Sequence, residues 1–405
     1  MTSTTVAIIG AGLSGLTLAL ALHKQGIPCT IYESRNASLD IGGAIMLSPN
    51  ALRVLDAVDI YKTIKPLGFE FKSLHFYTDR PLDSYEFGDR QKYEYDALRI
   101  YRYELIDALL SAVKKEQIPV QYGKKFVKVL SETETSVTWE FEDGTTGHAA
   151  CLVGADGIHS RVRKYLYPDL EPRFTNSVGV TAAVPTKQLV IPQSYNMPLT
   201  IMNPKHGAFV IAPQLTDGSE VLIGKQKRAG EIDRDGWNKL LNDKQWCVNF
   251  LREGAEDFPE IVQTAVSNIP LNKINLWPFY VVPTLDKWAS KHSRVVILGD
   301  AAHAIPPTAG QGVNQAFEDV YTYALILAKC REKNLDHGLK VWQQGRQGRV
   351  DQVLELNAQI DARRLPRGPG QAATELESKP FDLAWLYSPN FEELVDGWLE
   401  QDSTA

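Results

Sequence analysis

The segment "TVAIIGAGLSGLTLALALHKQG", residues 5–26, decides the fold of this chain. It reads as a short apolar strand, a turn with glycines at positions 10, 12 and 15, and a helix over residues 16–25 that Gly26 can end. In such a turn the first glycine allows the tight bend and the second lets backbone approach a pyrophosphate. The third lets the helix pack on the strand. The segment therefore predicts a helix N-terminus that faces an anion.

The next strand, "PCTIYE", ends in Glu33, eighteen residues after Gly15. A carboxylate at that position accepts hydrogen bonds from a ribose and would repel the 2′-phosphate of NADP. The pattern predicts an adenine dinucleotide with free ribose hydroxyls, and at this point FAD and NAD both remain open. The expected contacts are Gly10, Ala11, Gly12, Leu13, Ser14, Gly15, Glu33, Ser34 and Arg35.

The bulk composition favours an ordinary soluble protein of two or three units. The chain has 405 residues, of which 44% are hydrophobic and 23% charged. Its net charge of -6 disfavours nucleic acid as a partner. The apolar run at 6–22 lacks a preceding basic flank and contains spaced glycines, so no membrane span is expected. The four cysteines are far apart, which predicts no metal site and a reducing, cytoplasmic location.

Along the rest of the chain, helical and strand-like periods alternate in blocks. Helices are expected after Ser48-Pro49, over residues 102–113, between 235 and 265, and after residue 312. Two-residue alternation marks 118–156 and 175–230 as strands, and "SRVVILGD" (293–300) is typical of a buried parallel strand. Residues 361–380 read as a linker, and "FEELVDGWLE" (391–400) as a last helix.

Two further motifs lie far from the first. "GADGIHSRVR" (154–163) and "GDAAHAIPPTAGQGVNQAFED" (299–319) each follow a strand and place an acid at its end. A nicotinamide dinucleotide does not require two more loops at such long range. FAD does, because its ribityl chain and ring extend well beyond the pyrophosphate, so the three motifs together favour FAD.

In their order and residue patterns, the three motifs resemble those of the FAD-dependent group A aromatic monooxygenases with the p-hydroxybenzoate hydroxylase fold. The salicylate-hydroxylase-like members of fungal secondary metabolism are the most similar. The resemblance covers about residues 5–330 and includes "GGAIMLSPNALRVLDAV" and the arginine of "YRYEL". It implies an α/β protein with a three-layer Rossmann-type FAD-binding domain (1–70, 97–172 and 275–335). An inserted antiparallel-sheet substrate domain (71–96 and 173–274) and a C-terminal helical segment with linker (336–405) complete the expected division.

The resemblance also implies a role for individual residues. Arg102 would contact the FAD phosphates or ribityl region and Asp300 the ribityl hydroxyls, while Asp156 belongs to a fingerprint that also serves transient binding of NAD(P)H. Pro306 would stiffen a loop beside the reactive carbon of the flavin, and His303 is a second catalytic candidate. The remaining residues expected to contact the flavin are Gly43, Ala44, Gly310, Gly312, Val313 and Asn314.

The implied reaction is oxygen insertion: NAD(P)H reduces FAD, O2 adds at C4a, and the peroxyflavin hydroxylates a small aromatic or heteroaromatic metabolite. Epoxidation is the next alternative, and the choice of NADH or NADPH stays open, as do the oligomeric state and the mobility of the flavin. The pocket is expected between the flavin and the strands of 175–230. Its predicted lining is Tyr195, Met202, Phe209, Ile211, Lys225 and Pro307.

Other functions on the same nucleotide fold are weighed against this one. A flavin halogenase is disfavoured because "LWPFYVVP" is not the "WxWxIP" motif of that group. An oxidase remains an alternative. A non-catalytic, prenyl-protein-binding relative is disfavoured because it need not retain Asp300 and the Pro-Pro loop.

Overall fold

The structure is a computed structural model that describes residues 5–36, 43–230, 232–307, 309–330, 334–364 and 381–401. Its strands are β1 Val6–Ile9, β2 Cys29–Tyr32, β3 Ala44–Leu47, β4 Phe69–Phe71, β5 Ser73–Tyr77, β6 Pro81–Glu86, β7 Ala97–Tyr101, β8 Val120–Gln121, β9 Phe126–Glu132, β10 Val137–Phe141, β11 Thr146–Ala149, β12 Cys151–Gly154, β13 Arg173–Pro185, β14 Leu199–Asn203, β15 Gly207–Pro213, β16 Glu220–Arg228, β17 Ile274–Val281 and β18 Val295–Ile297. Its α-helices are α1 Leu13–Lys24, α2 Pro49–Ala57, α3 Tyr61–Ile64, α4 Arg90–Tyr93, α5 Arg102–Lys115, α6 Arg163–Leu166, α7 Arg234–Asn242, α8 Lys244–Arg252, α9 Glu260–Ala265, α10 Asp300–His303, α11 Gly312–Cys330, α12 Leu335–Arg364, α13 Ala384–Tyr387 and α14 Phe391–Gln401. None of the described helices is both long and apolar enough to cross a membrane.

A parallel five-stranded sheet of order β18-β12-β1-β2-β8 forms the centre of the fold. Helix α1 packs against α5 and α11, and the side chains between these helices and the sheet form the largest apolar core. The three motifs follow β1, β12 and β18, which are adjacent strands of this sheet. This arrangement is expected for doubly wound folds, in which ligands bind at the carboxyl ends of the strands. Helix α1 begins at Leu13, three residues before the predicted start, because Gly12 already occupies the N-cap position.

A seven-stranded sheet of order β17-β13-β16-β15-β14-β5-β6 carries the strands predicted at 175–230. It is antiparallel except for the β14–β5 pair, and the region between 235 and 265, where helices are expected, forms α7, α8 and α9. These helices cover one face of the sheet and bury an apolar core against it. The predicted α/β class with a second, antiparallel sheet is confirmed.

A small antiparallel sheet of order β3-β7-β4 lies between the two large sheets. Leu98 and Ile100 of β7 pack into the core of the parallel sheet, so the alternate residues Arg99 and Tyr101 point the other way. Arg99 donates to the carbonyl oxygen of Pro213, at the end of β15. The small sheet therefore joins the parallel sheet to the seven-stranded sheet.

The C-terminal helices pack on the outside of this assembly. Helix α12 spans thirty residues and contacts α11 and α14. The predicted last helix is present as α14. Of the predicted linker at 361–380, the first four residues continue α12, and 365–380 lie outside the described residues.

Candidate active site

The glycine turn has the geometry that the three glycines predict. Gly10 has φ +109°, and a Cβ there would lie 2.6 Å from the carbonyl oxygen of Ala155. At Gly15 a Cβ would lie only 1.9 Å from the carbonyl oxygen of Gly10, so helix and turn are in direct backbone contact. A Cβ at Gly12 would meet no described atom within 4 Å. Two glycines thus serve packing, and the middle one faces open space at the start of α1.

Glu33 is fixed beside this turn. Its carboxylate accepts hydrogen bonds from the backbone N–H groups of Ala11 and Arg35, each at 2.9 Å, and from the hydroxyl of Ser34 at 3.1 Å. Glu33 itself is buried, whereas Ser34 and Arg35 are exposed. A carboxylate held in this way lies at the end of β2 in the place that recognises a ribose in dinucleotide-binding folds.

The second motif forms a loop that supports the third. One oxygen of Asp156 accepts the N–H groups of Arg161 and Val162, at 2.7 and 3.2 Å. Burial raises the pKa of Asp156, and these hydrogen bonds oppose that shift. Arg163 is buried and donates to the carbonyl oxygen of Ala301 at 3.0 Å, so it ties this loop to the helix that follows β18. The part of Asp156 in NAD(P)H binding stays a prediction.

In the third motif the chain turns sharply after β18 at Gly299, which has φ +59°. Asp300 then begins α10, where protein surrounds its side chain on several sides but leaves it accessible to solvent. Burial raises the pKa of its carboxyl, and the charges of His303 and Arg102 oppose this shift. Burial also lowers the pKa of Arg102, with Asp300 opposing and Arg35 adding to the decrease. Arg35, Arg102 and Asp300 therefore share one electrostatic environment.

His303 is bound within the protein. Its Nε2 lies 2.5 Å from Oδ2 of Asp319, and its ring packs on Trp288 with 5.0 Å between ring centroids. The same Asp319 oxygen accepts the N–H of Gly299 at 2.8 Å. Only 6% of His303 is exposed, which favours a role in shaping the turn at Gly299 over proton transfer to a substrate.

The loop between α10 and α11 contains the two prolines. Pro306 is half-buried and Pro307 is exposed, and the N–H of Gly310 donates to the carbonyl oxygen of Pro307 at 2.9 Å. Asn314, in the first turn of α11, donates to the carbonyl oxygens of Gly310 and Met46, at 2.7 and 3.2 Å. Asn314 therefore joins this loop to strand β3.

A buried ionic cluster behind α11 was not anticipated from the sequence. Arg346 donates to Glu318, to Asp319 at 2.7 Å and to Oε1 of Gln315 at 2.7 Å, and Arg349 donates to Glu318 at 2.5 and 2.9 Å. Burial raises the pKa of Glu318, but Arg349 and Arg346 together lower it by more. The available signal was the repeat "GRQGR" at 345–349, which places two arginines one helical turn apart.

The predicted substrate residues lie on different faces of the seven-stranded sheet. Phe209, Ile211 and Lys225 lie on the face covered by the helices, where Lys225 donates to the carbonyl oxygen of Glu253. Tyr195 stacks on Tyr77 and packs on the same core. These four residues therefore do not lie on the open face of the sheet. The half-buried residues of that opposite face are the better candidates for a pocket lining. Met202 shares that face with Thr181, Thr200, Val210 and Leu222.

The open face points towards the motifs. A Cβ on Gly43, just before β3, would lie 3.2 Å from Leu222, and the carbonyl oxygen of Gly43 accepts the N–H of Arg102 at 3.4 Å. At the other end of the sheet, Phe76 of β5 packs in a cluster that includes Ala309 of the proline loop. Gly43, Arg102 and the proline loop thus border the same side of the sheet.

The residues fit FAD in three places along this groove. The turn at Gly12 has open space above helix N–H groups, which suits a pyrophosphate. The exposed carboxylate of Asp300 suits a polyol chain. A Cβ on Gly312, the first residue of α11, would also meet no described atom within 4 Å, which leaves room for a flat ring at that helix end.

Comparison with known proteins agrees with this geometry. Residues 3–357 match the family described as "FAD binding domain", so the chain belongs to that family, and it is a flavoprotein monooxygenase. It is 28% identical over 399 residues to the 3-amino-4-hydroxybenzoate 2-monooxygenase of Streptomyces cremeus, covering 94% of each chain. It is 28% identical over 383 residues to the hispidin-3-hydroxylase of Neonothopanus nambi, covering 87% of each. A salicylate hydroxylase substrate complex superposes with TM-score 0.77 at 20% identity, covering 98% of each chain.

Proposed function

We propose that this monooxygenase inserts one oxygen atom into a small aromatic or heteroaromatic compound that carries an acidic group. The observation that carries the proposal is the convergence of the glycine turn, Arg102 with Asp300, and the proline loop along one groove that ends at the open sheet face. The names of the relatives, a hydroxybenzoate and a hispidin hydroxylase, support an aromatic substrate. The four free cysteines support action in a reducing compartment such as the cytoplasm.

We assign the cofactor contacts accordingly. The N–H groups at the start of α1 bind the pyrophosphate, Glu33 accepts hydrogen bonds from the adenosine ribose, and Asp300 accepts them from the ribityl chain. Bound FAD supplies electron transfer from NAD(P)H and activation of O2, with one oxygen atom entering the product and the other leaving as water. The chain orients the substrate ring, and the proline loop excludes water from it.

The acidic group on the substrate is inferred from Arg99. Arg99 is 4% exposed, and its guanidinium links the small sheet to the end of β15 in the seven-stranded sheet. Its described partners are both neutral: the carbonyl oxygen of Pro213 at 2.7 Å and the amide oxygen of Gln214 at 3.0 Å. Burial lowers the pKa of Arg99 to about 10. A buried cation without a carboxylate partner is costly, and a bound anion would offset that cost.

The position of Arg99 suits such contact with a substrate. Its neighbour across the strand pair is Met46, whose carbonyl oxygen accepts from Asn314 at the start of α11. The carboxylate in the adjoining network, Glu220, is already bonded to Tyr101 and Lys273. A carboxylate or phenolate between Met46 and the open sheet face would therefore find Arg99 as its cation.

The test uses matched pairs of substrates: hydroxylated aromatic acids and their methyl esters or amides. Acceleration of NAD(P)H oxidation and a product one oxygen atom heavier would support the proposal. We expect Arg99→Gln to raise KM for the acids by about 10- to 150-fold, as for loss of a charged hydrogen bond worth about 1.5–3 kcal/mol, and to leave the esters unchanged. Arg228→Gln, at an exposed arginine ending β16, is the control. Equal effects on acid and ester would contradict the role of Arg99.

A further inference from the structure

The proline loop is bound on both of its sides by an asparagine. Asn314 of α11 donates to the carbonyl oxygen of Gly310 at 2.7 Å. Asn357, from the distant helix α12, uses both ends of its carboxamide: Oδ1 accepts the N–H of Ala309 at 2.7 Å, and Nδ2 donates to the carbonyl oxygen of Pro306 at 3.3 Å. One side chain therefore binds both Pro306 and Ala309; Thr308 lies outside the described residues.

The surroundings of Asn357 make these bonds important. Asn357 is 5% exposed, and Val353, Leu356, Ile360 and Ala309 form an apolar cluster around this part of α12. In such surroundings an amide without partners is penalised strongly, so a buried polar group that is fully bonded favours one loop conformation. Prolines contribute no N–H donor, which leaves few backbone groups by which the loop can be held.

Helix α12 is itself fixed in position with respect to the cofactor groove. Arg346 and Arg349, three and two turns before Asn357 on the same helix, bind Glu318 and Asp319 of α11. These ion pairs therefore fix Asn357 relative to the start of α11. The distance between the proline loop and the first turn of α11, where the flavin ring is assigned, depends on this fixed arrangement of the two helices.

We propose that Asn357 is a positioning residue for oxygen transfer, which acts by holding Pro306 and Ala309 of the proline loop on the substrate side of the assigned flavin site. It need not touch substrate or cofactor. Without it the loop would admit water, and NAD(P)H oxidation would give peroxide in place of product: NAD(P)H, O2 and one proton would give NAD(P)⁺ and hydrogen peroxide. The proposal goes beyond the monooxygenase activity and concerns how completely electrons are coupled to product.

The experiment compares Asn357→Leu, which keeps the approximate size and removes both hydrogen bonds, with the parent holoenzyme. We expect FAD affinity within about threefold of the parent, because no assigned FAD contact is altered. Substrate-stimulated NAD(P)H oxidation should continue, while product per NAD(P)H falls several-fold and peroxide rises to balance it. The visible circular dichroism of the bound flavin should change. Gln352→Leu, at an exposed position of α12, should match the parent in every measurement.

A second measurement needs neither substrate nor FAD. The amide of Ala309 donates to Asn357, so its hydrogen exchange in the apoprotein should accelerate in Asn357→Leu while the amides of α11 keep their protection. If Asn357→Leu does not fold, Asn357→Asp at pH 8 keeps the acceptor for Ala309 and replaces the donor to Pro306, and partial uncoupling is expected. Parent-like coupling together with parent-like exchange of Ala309 in a folded variant would overturn the proposal. So would a parallel loss of protection throughout α11, since that would make Asn357 a general structural residue.

Discussion

Replacing Gly12 or Gly15 of the first turn by alanine should affect two different properties: FAD affinity for Gly12 and apoprotein stability for Gly15. Gly12→Ala adds a methyl group that meets no described protein atom within 4 Å, at a residue with φ -81° and ψ -172°, which alanine adopts freely. Gly15→Ala adds the same group only 1.9 Å from the carbonyl oxygen of Gly10. Because the chemical change is identical, the pair separates a requirement of the cofactor from a requirement of the fold.

The magnitudes follow from the surroundings of each residue. At Gly12 a weaker N-cap and a less flexible unfolded chain nearly cancel, so apoprotein stability should change by less than about 1 kcal/mol. Displacing a phosphate from one charged hydrogen bond there, worth about 1.5–3 kcal/mol, should weaken FAD binding about 10- to 150-fold. At Gly15 overpacking against rigid backbone costs about 3 kcal/mol, and better helix propensity returns about 1 kcal/mol. The apoprotein should therefore lose about 2 kcal/mol or more.

Urea unfolding of the two apoproteins and FAD titration followed by flavin fluorescence measure these effects separately. Parent-like FAD affinity in Gly12→Ala would refute the assignment of the turn as the pyrophosphate site. Parent-like unfolding of Gly15→Ala apoprotein would refute the packing role of the third glycine. A destabilised Gly12→Ala apoprotein would mean that the space above this residue is needed by the protein itself.

Three more outcomes are expected. Asp300→Ala should purify largely without flavin, and full flavin occupancy would contradict the assigned role of Asp300. The Asp300→Ala apoprotein should nevertheless be at least as stable as the parent apoprotein near pH 7, because burial raises the pKa of Asp300 and so penalises its charged form. Arg346→Leu should lower the free energy of unfolding by about 3–5 kcal/mol in urea, as for a buried ion pair that loses one partner; a loss below 1 kcal/mol would show that the cluster repacks. Burial raises the pKa of Glu318 and of Asp319, but Arg349 and Arg346 lower the pKa of Glu318 by more, and His303 and Arg346 lower that of Asp319 by more. Both acids should therefore contribute stability that is complete above their unfolded pKa values, near pH 4, and that disappears as pH falls through the folded values. Unfolding midpoints between pH 6 and 2 test this, and Arg346→Leu should show a smaller acid loss.

The groove for the dinucleotide could be predicted because its signals are local. Gly10, Gly12 and Gly15 lie within six residues, and Glu33 follows at the end of the next strand, so chain geometry alone brings them together. The pocket could not be predicted in the same way. Strand alternation places Phe209 and Ile211 on one face of their strand, but it does not say which face the helices α7, α8 and α9 will cover. The sequence prediction therefore groups these two residues with Met202, which lies on the opposite face of the sheet.

Arg99 illustrates a second limit. In "DALRIY" it is a single arginine within a short apolar strand, a pattern that gives no partner and no direction. Its environment depends on tertiary structure, because β3 and β4 pair with its strand on the two sides and the end of β15 accepts a hydrogen bond from its side chain. The same holds for Asn357, whose two partners lie about fifty residues earlier in the chain.

The buried charges bear on where the FAD-binding unit ends. The sequence suggests an end at residue 335, but the side chains of Glu318 and Asp319 are fully buried and their arginine partners lie at 346 and 349. A unit that ended at 335 would retain His303 as a partner for Asp319 and would bury the charge of Glu318 without any arginine, at a cost of several kcal/mol per ion. Such a unit could keep these acids out of water only by protonating them or by separating α11 from the sheet. Since α11 begins at the assigned flavin ring, we propose that the functional unit extends at least to Asn357, where the family match also ends.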